Sequence, residues 1–345
     1  MLNKTLDAKD IVENACQKGR GSFMAVVGFG AREDALNPLT AAKVYKQVVL
    51  PSTLYGAELW CNLTASQTLD LERTQRFCLK VAQGLRQTTR SDMCHSLLGM
   101  PRLSAFRDKC VLLFLQRLCS LPEHAVSRRV FKYRLNQMPQ PRTGSVVGHM
   151  SSLLDRYGLS EVMDCFKEDG LFPSKGGWKA TVIDALVTAE REAYNQRVLY
   201  DSDFVRFQRV HPDCFAPCVS WAAAKEVPNS LSLFHFVVNL TVKTVAAVDD
   251  EHDVILCEYC GILFTDSLLH RVTMCSKFND VREQFWCFIT ENFPIELPRH
   301  LHSLMDEDLV CVLLGAPLVC PELDISDNEL YIFLYRCAVF LYLLN

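Results

Sequence analysis

Cys257, Cys260, His270 and Cys275 stand in the pattern C-x2-C-x9-H-x4-C. No other feature of the sequence constrains the fold as tightly, because these four side chains can meet only if the segment doubles back on itself. Two thiols three residues apart wrap one side of a metal through a tight turn, and Gly261, directly after Cys260, suits that turn. His270 and Cys275, slightly more than one helical turn apart, close the set. Three thiolates and one imidazole suit a closed, structural Zn2+ site. Such a site contributes on the order of 10 kcal/mol to folding a segment with little core of its own. Cysteine abundance is the competing explanation. Sixteen cysteines in 345 residues give about 0.7 C-x2-C pairs by chance, whereas a following H-x4-C within reach has a probability of about 0.02, raised several-fold if other spacings are allowed. A second cluster, His211, Cys214 and Cys218 in HPDCFAPC, lacks a clear fourth ligand, and His300 and His302 read as surface residues.

The remaining cysteines fit reduced thiols. The start, MLNKTLDAKD, has no apolar run of the signal-peptide kind, and disulfide scaffolds are small. The expected setting is intracellular, cytoplasmic or nuclear. Cys78, Cys110, Cys119, Cys311 and Cys337 lie in apolar helical stretches, where cysteine serves as a small buried hydrophobe. The sequons at Asn62 and Asn239 fall in helix-like, apolar surroundings and read as chance matches. The most apolar segment, Tyr331 to Leu344, is too short to span a bilayer comfortably and carries Arg336 in its middle. A buried helix is expected there, and no membrane partner.

Helical punctuation runs through the chain. Asn37-Pro38 is a helix start, with proline at the first helical position, and Pro51 opens the next element. Thr64 to Gln67 has the form of a capping box, and the helix that follows stops at Gly84. On a helical wheel Cys78, Val81, Ala82 and Leu85 share one side, and Arg73, Arg76 and Lys80 lie opposite. Ser91 and Ser104 are expected caps of the next two helices, the second apolar on most of its surface and central to the core. Gln137 to Gly144, QMPQPRTG, reads as a linker. Helical periodicity returns over Trp178–Tyr200 and Ser232–Val245 and in two segments after the cysteine–histidine pattern, with no clean strand ladder and no internal repeat.

A net charge of −4 conceals an asymmetry. Residues 1–150 carry 21 Lys/Arg and 11 Asp/Glu, against 15 and 29 in the remainder. Only the first half is suited to meet a polyanion, unless the two halves simply attract one another. Phosphate-contacting candidates are Arg73, Arg76 and Lys80, and Arg128, Arg129, Lys132 and Arg134 before the linker; the plain alternative for each is a solvated helix face. The chain contains no G-x-S-x-G, P-loop or HExxH, and the glycines of GFGARE follow no clear strand.

Val48 to Trp60, VVLPSTLYGAELW, resembles the segment just after the palm of non-LTR (LINE-type) retrotransposon reverse transcriptases, through Pro51, Tyr55, Gly56, Glu58 and Trp60. LERTQRFCLKVAQGL, LLGMPRL and a long apolar helix follow in an order similar to the helical thumb of that family. Cys257, Cys260, Gly261, His270 and Cys275, with Arg282, Phe285 and Trp286 downstream, resemble its zinc knuckle. The resemblance covers residues 20 to the end. It implies a thumb that grips the backbone of RNA or DNA. The family's palm carboxylates precede the Y-G-x-E-x-W segment, and this chain starts about fifty residues before it. Asp249-Asp250, its only Asp-Asp, lacks the neighbouring aromatic residue and reads as a solvated loop. No nuclease-like carboxylate triad follows the knuckle, and the basic residue expected before it is represented by Lys243 alone.

The expectation is an all-α, multi-helix bundle with a small CCHC zinc-knuckle element. Its parts are an N-terminal helical segment (1–38), a thumb-like bundle (39–142), a helical connector (143–249), the knuckle (250–290) and a C-terminal helical cap (291–345). The expected function is non-catalytic binding of RNA or DNA through the basic half. The alternatives are a helical scaffold that binds a protein partner through the acidic half, or a fragment of a decayed element with no retained activity.

Overall fold

Local signals decide where some of the helices begin. In the computed structural model, which describes residues 8–32, 35–61, 63–136, 145–201, 204–246, 254–320 and 323–345, Thr64 and Gln67 form the expected capping box. The Gln67 N–H donates to Thr64 Oγ1 at 3.2 Å and the Thr64 N–H to Gln67 Oε1 at 2.8 Å. The helix they open runs Ala65–Ala82. Asn37 caps Pro38–Val44 by accepting from the Leu39 N–H at 2.9 Å. The backbone then widens into a π turn over Tyr45–Val49 before the short helix Leu50–Thr53. Pro51 sits inside this continuous run rather than at a break; the wider turn accommodates a residue that has no N–H to give.

The expected caps of the next two helices differ. Ser91 and Ser104 lie within their helices, behind Arg90 and Arg102, neither of which makes a side-chain cap. The helix Leu103–Cys119 is capped instead by Glu72, whose Oε1 accepts from the Ser104 N–H at 2.8 Å. A carboxylate on a helix N-terminus satisfies a free donor and opposes the helix dipole.

The described residues are all-α apart from one two-stranded hairpin. They form two compact units. The first comprises Met1–Val26, Val44–Cys78 and Pro101–Gln196. Its central helix, Leu103–Cys119, is apolar on two sides for a physical reason. Leu103, with Phe106 and Cys110, packs on Val12, Leu54 and Trp60. Val111, Leu112 and Leu115 pack on Phe131, Met150, Leu153 and Trp178. The Trp178 indole donates to the Leu112 carbonyl at 2.7 Å, so its one polar atom is satisfied in the core. Asp108 is buried on the same helix, held by the Arg107 guanidinium at 2.8 Å, the Tyr157 hydroxyl at 2.9 Å and Arg156 at 3.3 Å. A buried carboxylate persists only with such partners.

The second unit comprises Val27–Lys43, Leu79–Met100 and Arg197–Asn345. Leu231–Ala246 packs against Val219–Glu226 and against the C-terminal helix Asp327–Leu343. That last helix is buried along one face only: Phe333, Cys337 and Leu341 are fully enclosed, Ile332, Tyr342 and Leu343 are exposed, and Arg336 lies over the Phe288 ring at 3.9 Å. Among the described residues no helix is long and apolar enough to cross a membrane. The linker QMPQPRTG, Asp249-Asp250 and Asn62 fall outside the described residues.

Candidate metal centre

The cysteine–histidine segment folds as strand β1 (Ile255–Leu256), strand β2 (Leu263–Phe264) and a helix, Ser267–Thr273. The strands are too short to leave a periodicity in the sequence. They pair antiparallel, Ile255 with Phe264 and Leu256 with Leu263. The turn between them carries the first two thiols. Cys257 N–H donates to the Ile262 carbonyl at 3.0 Å, and Gly261 N–H to the Cys257 carbonyl at 2.9 Å. Gly261 adopts φ +69°, which a side chain would resist.

Asp266 starts the helix. Its Oδ1 accepts from the N–H groups of Leu268 at 2.8 Å and Leu269 at 3.0 Å. Arg206 holds that cap in place through Asp266 Oδ2 and grips Glu307 at 2.7 and 2.8 Å. Burial opposes the charge of Arg206, but the bonds from Glu307 and Asp266 outweigh it and raise its pKa above the ordinary value. His270 follows one turn after Asp266. Past the helix end, the N–H groups of Met274 and Cys275 both return to the His270 carbonyl at 2.9 Å. Arg282 locks this corner, donating to the carbonyls of Cys275 at 2.7 Å and Arg271 at 3.0 Å.

These elements bring all four expected ligands together. Their donor atoms lie within 4.8 Å of one another, with Cys257 and Cys275 sulfurs 3.7 Å apart and Cys260 Sγ 3.4 Å from His270 Nε2. Bonds of about 2.3 Å to thiolate and about 2.0 Å to imidazole, at tetrahedral angles, require S···S near about 3.8 Å and S···N near about 3.5 Å. The Cys257–Cys275 and Cys260–His270 separations match those values, and the four side chains could hold an ion. The His270 ring is fixed by stacking on Phe264, with centroids 4.5 Å apart and planes at 3°, while its Nδ1 is buried with no hydrogen-bond partner among the described residues. Cys257 is prepared as an anion: N–H groups of Cys260 and Tyr259 aimed at its sulfur, with His270, lower its pKa to about 6. Burial moves Cys275 the other way.

The second cysteine cluster does not converge. His211 Nε2 meets the Ser96 carbonyl at 2.9 Å, and Cys218 is a buried thiol whose own N–H bonds the Leu97 carbonyl. Among the described residues the CCHC set is the one group of three or more His, Cys, Asp or Glu placed to share an ion. His302 stacks on Trp286 at 4.1 Å.

The basic residues divide. Lys80 does not join Arg73 and Arg76 on an exposed face. The chain turns back at Gly84 and buries it, with the ammonium donating to the Gln87 carbonyl at 2.5 Å. Arg73 is exposed and pairs with Asp70 at 3.0 Å, and Arg76 is half-buried. On Val126–Asn136, Arg128 is largely enclosed and donates to the Leu121 carbonyl, Lys132 pairs with Glu123 at 3.2 Å, and Arg129 and Arg134 are exposed.

The residues that support the site, Asp266, Phe264 and Arg206, do not stand out in the sequence. Asp266 before Ser-Leu-Leu-His is the one with a local signal, an acidic N-cap ahead of an apolar turn. No protein-family model matches the chain, and comparisons with curated proteins and with solved structures give no match either.

Proposed function

We propose that the chain is a non-catalytic nucleic-acid-binding protein, a thumb-like helical body joined to a structural zinc knuckle, related to the C-terminal part of LINE-type reverse transcriptases. The observation that carries this reading is the convergence of Cys257, Cys260, His270 and Cys275 within 4.8 Å of one another, two of the pairs at separations that suit a tetrahedral ion. Three thiolates and one imidazole select zinc over harder cations, and four protein ligands leave no open position for water. The zinc is structural and fastens the hairpin to the His270 helix. The agreement in order and spacing of the Y-G-x-E-x-W segment, the thumb-like helices and the knuckle supports the kinship. RNA or DNA is gripped through phosphates, with Arg129 and Arg134, and Arg73 beside Asp70, as the exposed cations of the candidate set.

The test combines two measurements on the full chain. Purified protein should hold one zinc per chain and lose it in Cys257→Ser with Cys260→Ser. Wild-type protein should bind RNA or DNA with an affinity that falls steeply between low and moderate salt, and Arg129→Glu with Arg134→Glu should weaken it. Folded protein without zinc, or salt-independent binding, would overturn the reading. So would template-directed nucleotide incorporation by the pure chain. A second reading, a scaffold for a protein partner, is favoured by the apolar surface of the hairpin.

A further inference from the structure

A cavity of 440 Å³ lies within the second unit, between the segment after Val205–Val210 and the segment that joins Asp306–Leu313 to the C-terminal helix. The sequence explains why side chains leave it unfilled. Pro212, Pro217 and Pro317 fix their own backbone angles and stiffen both segments, and Ala216 and Ala316 beside them are small. Gly315 turns the chain at φ +106°, so close to Val219 that a Cβ would stand 3.0 Å from Val219 Cγ1. This contact joins the two walls. Val210, His211 and Leu334 are buried at the base, and Pro212, Asp213 and Pro317 are exposed at the rim. An apolar cavity of about 150 Å³ holds one benzene, and ligand pockets begin near about 300 Å³, so this one suits an apolar body of about two or three rings.

The polar groups of the wall decide what such a body carries. His211 Nε2 meets the Ser96 carbonyl at 2.9 Å. A carbonyl only accepts, so Nε2 holds the proton of the neutral ring and Nδ1 is left as an acceptor. Nδ1 has no hydrogen-bond partner among the described residues, and unlike His270 Nδ1 it is not sealed inside the protein. The Asp213 carboxylate, which accepts from the Phe215 N–H at 3.0 Å, lies near enough to act on this ring electrostatically. Both groups accept hydrogen bonds, and among the described residues no Lys or Arg lines the cavity. An anion would find no counter-charge there, whereas a cationic donor finds a carboxylate and an imidazole lone pair. We propose that this cavity binds an apolar amine, its rings against Val210, Leu330 and Leu334 and its ammonium group at Asp213 and His211. The site is independent of the zinc and nucleic-acid readings.

The test uses the full chain, with benzyl(naphthylmethyl)amine as the probe and N-benzylnaphthamide as its uncharged counterpart, read by isothermal titration calorimetry at neutral pH. The amine should bind at least about tenfold more tightly than the amide. Asp213→Asn keeps an acceptor for the Phe215 N–H and should bring the amine to the affinity of the amide. Leu318→Trp fills the cavity from its wall and should weaken both ligands at least about tenfold, with an unchanged denaturant midpoint showing that the variant is folded. Ala316→Leu fills the same space if Leu318→Trp fails to fold. No binding of the amine, equal affinities for amine and amide, or amine binding that Asp213→Asn or the filled cavity leaves unchanged would each overturn the proposal.

Discussion

Phe264 lies flat against the His270 imidazole, at 4.5 Å and 3°. A ligating histidine is usually oriented by a hydrogen bond to its other ring nitrogen, and here His270 Nδ1 has none among the described residues. Were His270 to ligate the proposed zinc, ring stacking would take over that orienting role. Phe264→Ala should therefore lower metal affinity by about 10- to 100-fold, the range typical of lost support behind a ligand. Chelator competition against wild type measures it, and an unchanged affinity would show that the ring is held by the metal alone.

The thiols of metal-free protein should separate by reactivity. Cys257 is lowered to about 6 by the surrounding N–H donors, so at neutral pH it is mostly thiolate. Burial pushes Cys78 and Cys119 up to about 12 and raises Cys337 as well. Thiolate is the nucleophile. Limited alkylation with peptide mapping should label Cys257 well before those three, with its rate falling as the pH drops through about 6. Equal labelling of Cys257 and Cys337 would contradict the arrangement.

Glu72 and the helix it caps are 31 residues apart in sequence, counting to Leu103. Glu72→Ala removes the acceptor of the Ser104 N–H and should cost about 1 kcal/mol, within the range of lost N-caps. Glu72→Gln retains an acceptor and should cost less. Denaturant midpoints of the two variants measure the difference, and equal losses would place the effect in charge rather than in the cap.

His211 is buried against the Ser96 carbonyl, and burial lowers its pKa from the ordinary value. The unfolded chain then binds a proton that the folded chain refuses. Stability from this residue is fully present above the unfolded value of about 6.5 and is lost as the pH falls through it. His211→Gln keeps a donor and cannot titrate. Its midpoint should fall less than that of wild type between about pH 7.5 and about pH 5.5, by up to about 1.4 kcal/mol per pH unit at most. The comparison also isolates His211 from His149, which burial lowers too, and from the cysteine–histidine cluster. Parallel curves for variant and wild type would refute it.

Local chemistry in the sequence determined a good share of this protein. The Thr64–Gln67 box, the Asn37 cap, the apolar course of Leu103–Cys119 and the membership of the cysteine–histidine cluster act within a few residues, or through the spacing of one short segment. Tertiary structure alone decided the rest. A helical wheel places Lys80 beside Arg76, yet the chain returning after Gly84 buries it. Ser104 looks like a cap, yet Glu72 performs that task. Arg206 and Phe264 support the cysteine–histidine cluster from positions that carry no motif. The two-residue strands are too short to produce an alternating pattern, so which hairpin face meets the helix depends on where Phe264 finds His270. Each of these outcomes requires two segments distant in sequence to meet, or a pairing too short to pattern, and hydrogen bonding and packing settle them only when the chain is folded.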